Sequence, residues 1–115
     1  MRKIKFKGKD FNGRWVYGYY HSINDADMGT IHHFIIDDSA IDCAVQQKTV
    51  CEYTGLNDFD GKDIYEHDVL NIDGVLFEVV WRESGFRIQR LFDEYYNYAF
   101  DKNKARKSFI VNSRY

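Results

Sequence analysis

The chain has 115 residues, which is enough for one ordinary domain and too short for two. Aromatic side chains make up 17% of it, so even a small core can bury a large apolar area. No apolar run reaches the roughly 7–15 residues of a signal peptide or the roughly 18 of a membrane span, so we expect a cytoplasmic protein without a membrane segment.

The net charge of −2 conceals an uneven distribution. Residues 1–14 and 82–115 are rich in lysine and arginine, whereas residues 15–81 are rich in aspartate and glutamate. Basic terminal segments could pair with the acidic middle at the surface, or they could lie together as a basic patch. The first interpretation is favoured, because a net negative protein repels nucleic acid unless its charge is segregated on one face.

The N-terminus alternates lysine with apolar residues over positions 2–7, which predicts a half-buried edge strand with a solvated lysine row. Asn12-Gly13 is a strong hairpin signal because both residues accept a positive φ. The aromatic run from Arg14 to Tyr20 has the composition of a partner strand. The first twenty residues therefore predict a β-hairpin.

Several further strands are expected after a polar loop at residues 24–30. Turns at Asp73-Gly74 and at residues 83–85 separate three runs with strand character, which predicts an antiparallel meander typical of small barrels. The predicted strands after the hairpin are 31–36, 40–45, 49–53, 69–72, 75–81 and 86–91.

Residues 92–107 change character, because Phe92, Tyr95, Tyr96 and Ala99 share the face of a helix. Asp93 could cap its start, and basic residues crowd its end, where the helix dipole favours cations. We expect a short C-terminal helix here, followed by a last strand at 108–112.

No motif for metal or cofactor binding stands out. Cys43 and Cys51, eight positions apart without a second pair, predict reduced thiols in place of a zinc site. His32 and His33 would point to opposite faces of a strand. The run around Asp58-Phe59-Asp60-Gly61 fails the calcium-loop template at its first and twelfth positions and predicts a turn.

Catalytic machinery is equally hard to find. The chain has neither a nucleophile elbow nor a glycine-rich phosphate loop. Glu66 and Asp68 lie on the same side of an extended segment, a geometry compatible with acid–base work. A hydrolase would need a deep pocket holding at least two of Glu66, His67 and Asp68. We expect a protein without catalytic residues or a cofactor, and keep the hydrolase as a minor alternative.

Basic residues interleaved with aromatic ones give a second hypothesis, nucleic-acid binding. Small barrels bind single strands by stacking bases on exposed rings beside a basic groove. The candidate residues are Lys3, Lys5, Lys7, Arg82, Arg87 and Arg90.

The segment from Thr49 to Val69 resembles the YopX family of phage and prophage proteins. It contains Tyr-Thr-Gly-Leu at 53–56 and Ile-Tyr-Glu-His-Asp at 64–68, and the opening residues 4–9 and 15–19 also match. The family usually has glycine where this chain has Cys51 and His67. If the second glycine takes a positive φ, His67 must tolerate that backbone conformation.

This resemblance implies a mainly β fold, a single YopX-like domain over residues 1–115, and an SH3-type barrel at about 50–91. It also implies a phage or prophage gene expressed in a bacterial cytoplasm, without an established activity. The motif residues have a structural interpretation: glycines meet backbone needs, apolar residues pack, and Asp68 caps the turn before the next strand. These residues are Tyr53, Gly55, Leu56, Gly61, Ile64, Tyr65 and Asp68.

The favoured hypothesis is therefore a non-enzymatic accessory protein that binds a macromolecular partner, most simply a protein. Nucleic-acid binding through the basic ends is the alternative. A homodimer is also plausible, since edge strands and many aromatic rings favour association.

Overall fold

The computed structural model describes residues 5–115, and these residues are mainly β, as predicted. The described chain divides into two compact units, one reaching to Glu52 and the other covering Tyr53–Tyr115. All strand pairs within them are antiparallel. The strands are β1 Phe6–Lys9, β2 Trp15–Asp25, β3 Thr30–Ile36, β4 Asp42–Ala44, β5 Cys51–Asn57, β6 Asp63–Tyr65, β7 Asp68–Ile72, β8 Val75–Arg82, β9 Gly85–Arg90, β10 Asn97–Ala99 and β11 Ser108–Ser113.

The first unit is built around the predicted N-terminal hairpin, which is confirmed. Strand β1 pairs with β2, with Phe6 opposite Gly18, and β2 pairs in turn with β3 and β3 with β4. A 3-10 turn at Gln47–Thr49 then leads into β5. The start of β5 pairs with the free side of β1, with Phe6 opposite Glu52. Strand β1 is thus an interior strand, and the predicted edge strand is wrong.

The predicted solvated lysine row is also wrong for Lys7. Its side chain is only 6% exposed, and its ammonium lies 4.4 Å from the ring centroid of Trp15. A cation over an aromatic face can be buried because the ring quadrupole replaces part of its hydration. Lys5 is half-buried. Lys3 lies outside the described residues.

One five-residue loop joins strands at three places, Asp10–Arg14, Asp37–Ile41 and Asp58–Lys62. In each loop the first residue is an aspartate whose Oδ1 accepts the backbone amides two and four positions further on, at 2.9–3.0 Å. The aspartate's own amide donates to the carbonyl of the fifth residue. The carboxylate therefore acts as the centre of the loop, in the manner of an Asx turn.

The fourth residue of each loop has a left-handed backbone: Gly13 at φ 81°, Ala40 at 60° and Gly61 at 80°. The hairpin at Asn12-Gly13 thus forms through a five-residue loop centred on Asp10. Two of the loops also share the local sequence Asp-Phe-Asn/Asp-Gly-Arg/Lys, a short repeat that our sequence analysis missed.

The second unit contains a five-stranded sheet in the order β10-β9-β8-β7-β11. The predicted meander is confirmed: a two-residue turn at Asp73-Gly74 joins β7 to β8, and another at Glu83-Ser84 joins β8 to β9. All four turn residues have a positive φ, the geometry that matches the twist of a hairpin.

This sheet does not close into the predicted barrel. Its end strands β10 and β11 each pair with one neighbour within the sheet, and β6 pairs with β5 although a two-residue turn connects it to β7. A barrel requires every strand to have two partners in a ring. The pairing in residues 50–91 is that of open antiparallel sheets.

The core of the second unit lies on one face of the sheet. Leu70, Val79 and Ile88 from the sheet meet Ile64 of β6 and Ala105 of the helix, and all five are at most 2% exposed. Further apolar residues pack around this centre at the edges. They include Leu56, Ile72, Phe77, Phe86, Phe100 and Ile110.

The C-terminal helix is shorter than predicted, and its predicted start is wrong. The helix α1 covers only Lys102–Arg106, and the cap is Asp101, whose Oδ1 accepts the Lys104 amide at 2.9 Å. Asn97–Ala99 form β10 and pair with β9. Aromatic residues fit an edge strand of a sheet as well as a helix. Here residues 97–99 form a strand because β9 offers an edge with which they pair. The predicted last strand is confirmed as β11.

Candidate functional site

A turn with exposed aromatic side chains connects β9 to β10. This aromatic turn, residues 91–96, is closed by backbone hydrogen bonds on both sides: Asp93 donates to the Arg90 carbonyl, and Arg90 donates to the Tyr96 carbonyl at 2.7 Å. The amide of Leu91 donates to the carbonyl of Leu76 on β8 at 3.0 Å. The turn is therefore fixed to the sheet at both ends.

Two of its side chains project into solvent. Phe92 is 100% exposed and Tyr95 94% exposed. Phe92 also has a φ of 66°, a left-handed conformation that costs a non-glycine residue about 1–3 kcal/mol. The turn thus holds a large apolar side chain away from the protein in a backbone conformation that this residue type disfavours.

An apolar groove lies on the core face of the same sheet, beside the C-terminal helix. This α1 groove has a volume of about 340 Å³. Its floor and walls are apolar apart from Asp73, and Lys104 and Lys107 supply cations at its rim. The lining residues are Ile72, Asp73, Val75, Phe77, Ile88, Tyr98, Lys104 and Lys107.

A second cavity of about 510 Å³ has Phe92 in its wall, together with residues of β7, β8 and β11. Glu78 and Arg114 are its two charged residues, and they are joined to each other at 3.3 Å. Neither Glu66, His67 nor Asp68 lines this cavity. The pair of charges closes one end of an otherwise mostly apolar depression.

His67 is the centre of a small ionic cluster at the turn between β6 and β7. Its Nδ1 lies 2.8 Å from Oε2 of the buried Glu78, and its Nε2 lies 3.7 Å from Oε2 of Glu66. Its carbonyl accepts the amide of Arg114, and its ring meets Tyr115 edge-on at 5.3 Å. The cluster joins the turn, β8 and the last residues of the chain.

His67 has a φ of 68°, so it tolerates the left-handed conformation that glycine adopts most readily. Its amide donates to the Val79 carbonyl at 2.7 Å, and the neighbouring Asp68 accepts the Tyr65 amide at 2.9 Å. These contacts fix the turn. His67 and Asp68 therefore make hydrogen bonds that hold the turn. The hydrolase hypothesis would need an acid and a base at the same positions.

The three arginines named as nucleic-acid-binding candidates, Arg82, Arg87 and Arg90, do not all lie on one face of the sheet. Arg87 lies opposite Val80 and Arg90 opposite Phe77, so the two side chains belong to opposite faces of the sheet. Each arginine also has a neighbour of its own: Arg82 is 3.5 Å from Glu94, Arg87 donates to Asn97, and Arg90 lies over the ring of Tyr96. Within the described residues, these three arginines therefore do not form one basic surface.

The Tyr-Thr-Gly-Leu motif forms a bulge between β5 and β6. Tyr53 pairs with Tyr65 and Asn57 with Asp63, and Gly55 between them has a φ of 85°. The Tyr53 hydroxyl donates to Asn57, and the Thr54 hydroxyl donates to the Ile64 carbonyl at 2.8 Å.

The other motif residues lie around this bulge. The Tyr53 and Tyr65 rings contact each other at 5.5 Å, and Leu56 packs beside the buried Ile64. Gly61 occupies the left-handed position of the Asp58 loop. In this arrangement the motif residues shape backbone and core.

Neither the histidine pair nor the cysteines form a ligand set. His33 is half-buried, with Nδ1 2.6 Å from the Tyr20 hydroxyl, whereas His32 is exposed. Cys51 is buried and Cys43 half-buried, both as free thiols. Across residues 5–115, no group of three or more histidine, cysteine or acidic side chains could hold a metal ion.

Two features of the structure were not predicted from the sequence. The periodicity predicted that Phe92 and Tyr95 share one face of a helix, whereas both are exposed on a turn. The run at residues 58–61 was predicted as a turn, and it is one, but the contact of Asp58 Oδ2 with the Ile110 amide at 3.1 Å was not predicted. The repeated Asp-Phe-x-Gly sequence was the available signal for the loop role of Asp58.

These features define a small, mainly β protein with a fixed aromatic turn and an apolar groove with a basic rim. The family model described as YopX protein matches residues 5–111, which span both compact units. The chain belongs to this family. No curated protein matches it. Within the described residues, no helix has the length and apolar character to cross a membrane.

Proposed function

We propose that this protein is a non-enzymatic phage or prophage accessory protein that binds another protein in the bacterial cytoplasm. The aromatic turn is the element that makes the contact. The single observation that supports this proposal is the full exposure of Phe92 at a left-handed backbone position. The left-handed backbone of Phe92 is unfavourable in the isolated molecule, and burial of its exposed ring against a partner would contribute hydrophobic free energy that offsets this cost.

A protein partner suits the composition of the turn. Aromatic residues are enriched among the few side chains that dominate the free energy of protein association. The turn carries Asp93 and Glu94 beside its rings, and a nucleic-acid phosphate would be repelled by both. The arginine contacts across two sheet faces do not favour the alternative of a nucleic-acid interface.

We also propose that residues 50–91 have a fold related to the SH3 type. The β7-β8-β9 meander with tight turns supports it, although the sheet is open. Domains of this type present loops to partners, an analogy that concerns the fold and leaves the site to be argued from Phe92 and Tyr95.

The experiment is affinity capture from host lysate with three baits: the natural chain, Phe92→Ser/Tyr95→Ser, and Phe11→Ser. Phe11 is the matched control, because it is 74% exposed on a loop of the other unit. We expect mass spectrometry to identify at least one host or phage protein retained by the natural chain and by Phe11→Ser, and lost from the turn variant. Identical capture by all three folded baits, or nucleic acid as the retained species, would contradict the proposal.

A further inference from the structure

The aromatic turn exposes apolar rings beside two acids, and the α1 groove is lined by apolar residues and two lysines; both belong to the second unit. We infer that the aromatic turn of one molecule docks into the α1 groove of a second copy, and that two such contacts form a two-fold dimer. This inference rests on the proposed function of the turn and names the partner as a second copy of this chain.

The groove can accept the side chain that the turn presents. Its volume of about 340 Å³ exceeds that of a phenylalanine side chain, and Val75, Phe77 and Ile88 give it an apolar floor. Phe92, fully exposed, would lose its water contact on entering. An aromatic anchor in an apolar pocket is the usual centre of a protein interface.

The charges at the two surfaces are mostly of opposite sign, although Asp73 also lines the groove and the Lys104 ammonium lies 3.5 Å from the Asp101 carboxylate. Asp93 and Glu94 follow Phe92 on the turn, and Lys104 and Lys107 lie at the groove. Glu94 pairs with Arg82 at 3.5 Å, with 72% of the Glu94 side chain exposed, so this contact is a weak surface ion pair that can be exchanged. With Phe92 in the groove, the acids beside it would face the lysines of the second copy.

The positions of the two surfaces also favour a closed pair. The turn ends at Tyr96, directly before β10, and Tyr98 of β10 lines the groove. Because both surfaces adjoin one edge of the sheet, a two-fold axis beside β10 lets each turn reach the other molecule's groove. Two identical contacts then close the assembly as a dimer without leaving an open end.

Sedimentation velocity over a concentration series tests this inference. We expect the natural chain to dimerise, and Phe92→Ser and Lys107→Glu each to raise the dissociation constant by about tenfold or more. Both residues are exposed, so neither change disturbs the core. The double variant Glu94→Lys/Lys107→Glu should recover part of the affinity.

A natural chain that stays monomeric, or a dimer that neither substitution weakens, would overturn the inference. The result separates it from the proposed function: if the chain is monomeric and Phe92-dependent capture of another protein persists, only the second-copy partner is wrong. A dimer that depends on Phe92 and Lys107, without any captured protein, would support the inference and limit the turn to self-association.

Discussion

The carboxylate of Asp58 accepts the backbone amide of Ile110, which lies 52 positions further along the chain, at 3.1 Å. The other oxygen of the same carboxylate accepts two amides of its own loop. One side chain, 6% exposed, thereby fixes the β5-β6 connection and attaches it to β11. The loop that resembles a calcium site is a structural junction.

Replacing Asp58 with alanine should lower the free energy of unfolding by about 3 kcal/mol, since three amides lose a charged acceptor in a buried place. Urea denaturation measures the change. Asp10→Ala is the matched control, because Asp10 occupies the same loop position and accepts the Asn12 and Arg14 amides of its own exposed loop, so that its loss should cost much less. Equal losses from both variants would show that the Ile110 contact contributes nothing.

Ala40→Gly should stabilise the protein by about 0.5–1 kcal/mol. Ala40 has a φ of 60° at the fourth position of its five-residue loop, where the loops Asp10–Arg14 and Asp58–Lys62 have glycine. A Cβ is unfavourable in that conformation. The converse change, Gly61→Ala, should destabilise by a similar amount, because its added Cβ meets no neighbour and only the backbone conformation is affected. Thermal and urea unfolding would contradict this account if Ala40→Gly lowered stability.

His67→Gly and His67→Ala separate the two contributions of His67. Both remove the imidazole from Glu78, but only glycine relieves the backbone at φ 68°. We expect His67→Gly to be more stable than His67→Ala by about 1 kcal/mol. An alanine variant as stable as the glycine variant in urea would mean that this turn relaxes to another conformation.

The decrease of the free energy of unfolding at low pH should depend on Asp10 and Asp101. The Arg14 amide lowers the pKa of Asp10, and the Lys104 amide lowers the pKa of Asp101, both from an ordinary value of 3.8. Because the folded pKa lies below the unfolded one, their contribution is present above pH 3.8 and is lost as the pH falls through the folded pKa. Carboxyl titration by NMR should give pKa values below 3.8 for Asp10 and Asp101. The free energy of unfolding of Asp10→Asn should fall less steeply as the pH is lowered. Titration of either group at or above 3.8 would refute the hydrogen-bond account.

The sequence predicted most of the strands because their signals are local. Asp73-Gly74 and the alternation after it are enough to define the β7-β8 hairpin. The resemblance implied that His67 must tolerate a positive φ if it stands at a glycine position that requires one, and its φ is 68°.

The failures depend on partners distant in sequence. Lys7 is buried because β5 pairs with the open side of β1, and Ala99 joins a strand because β9 offers an edge. Neither the alternation at residues 2–7 nor the helical spacing at residues 92–99 reveals these partners, so the exposed positions of Phe92 and Tyr95 followed only from the fold. The Asp58–Ile110 contact was hidden for the same reason.

Site-specific photocrosslinking in the bacterial host tests the role of the aromatic turn most directly. A photoreactive phenylalanine analogue placed at Phe92 should give discrete crosslinked protein species, whereas the same analogue at the control site Phe11 should not. A second copy of the chain or a different protein in the crosslink would both support binding by the turn. Absence of crosslinks at Phe92, or the same pattern from both positions, would contradict it.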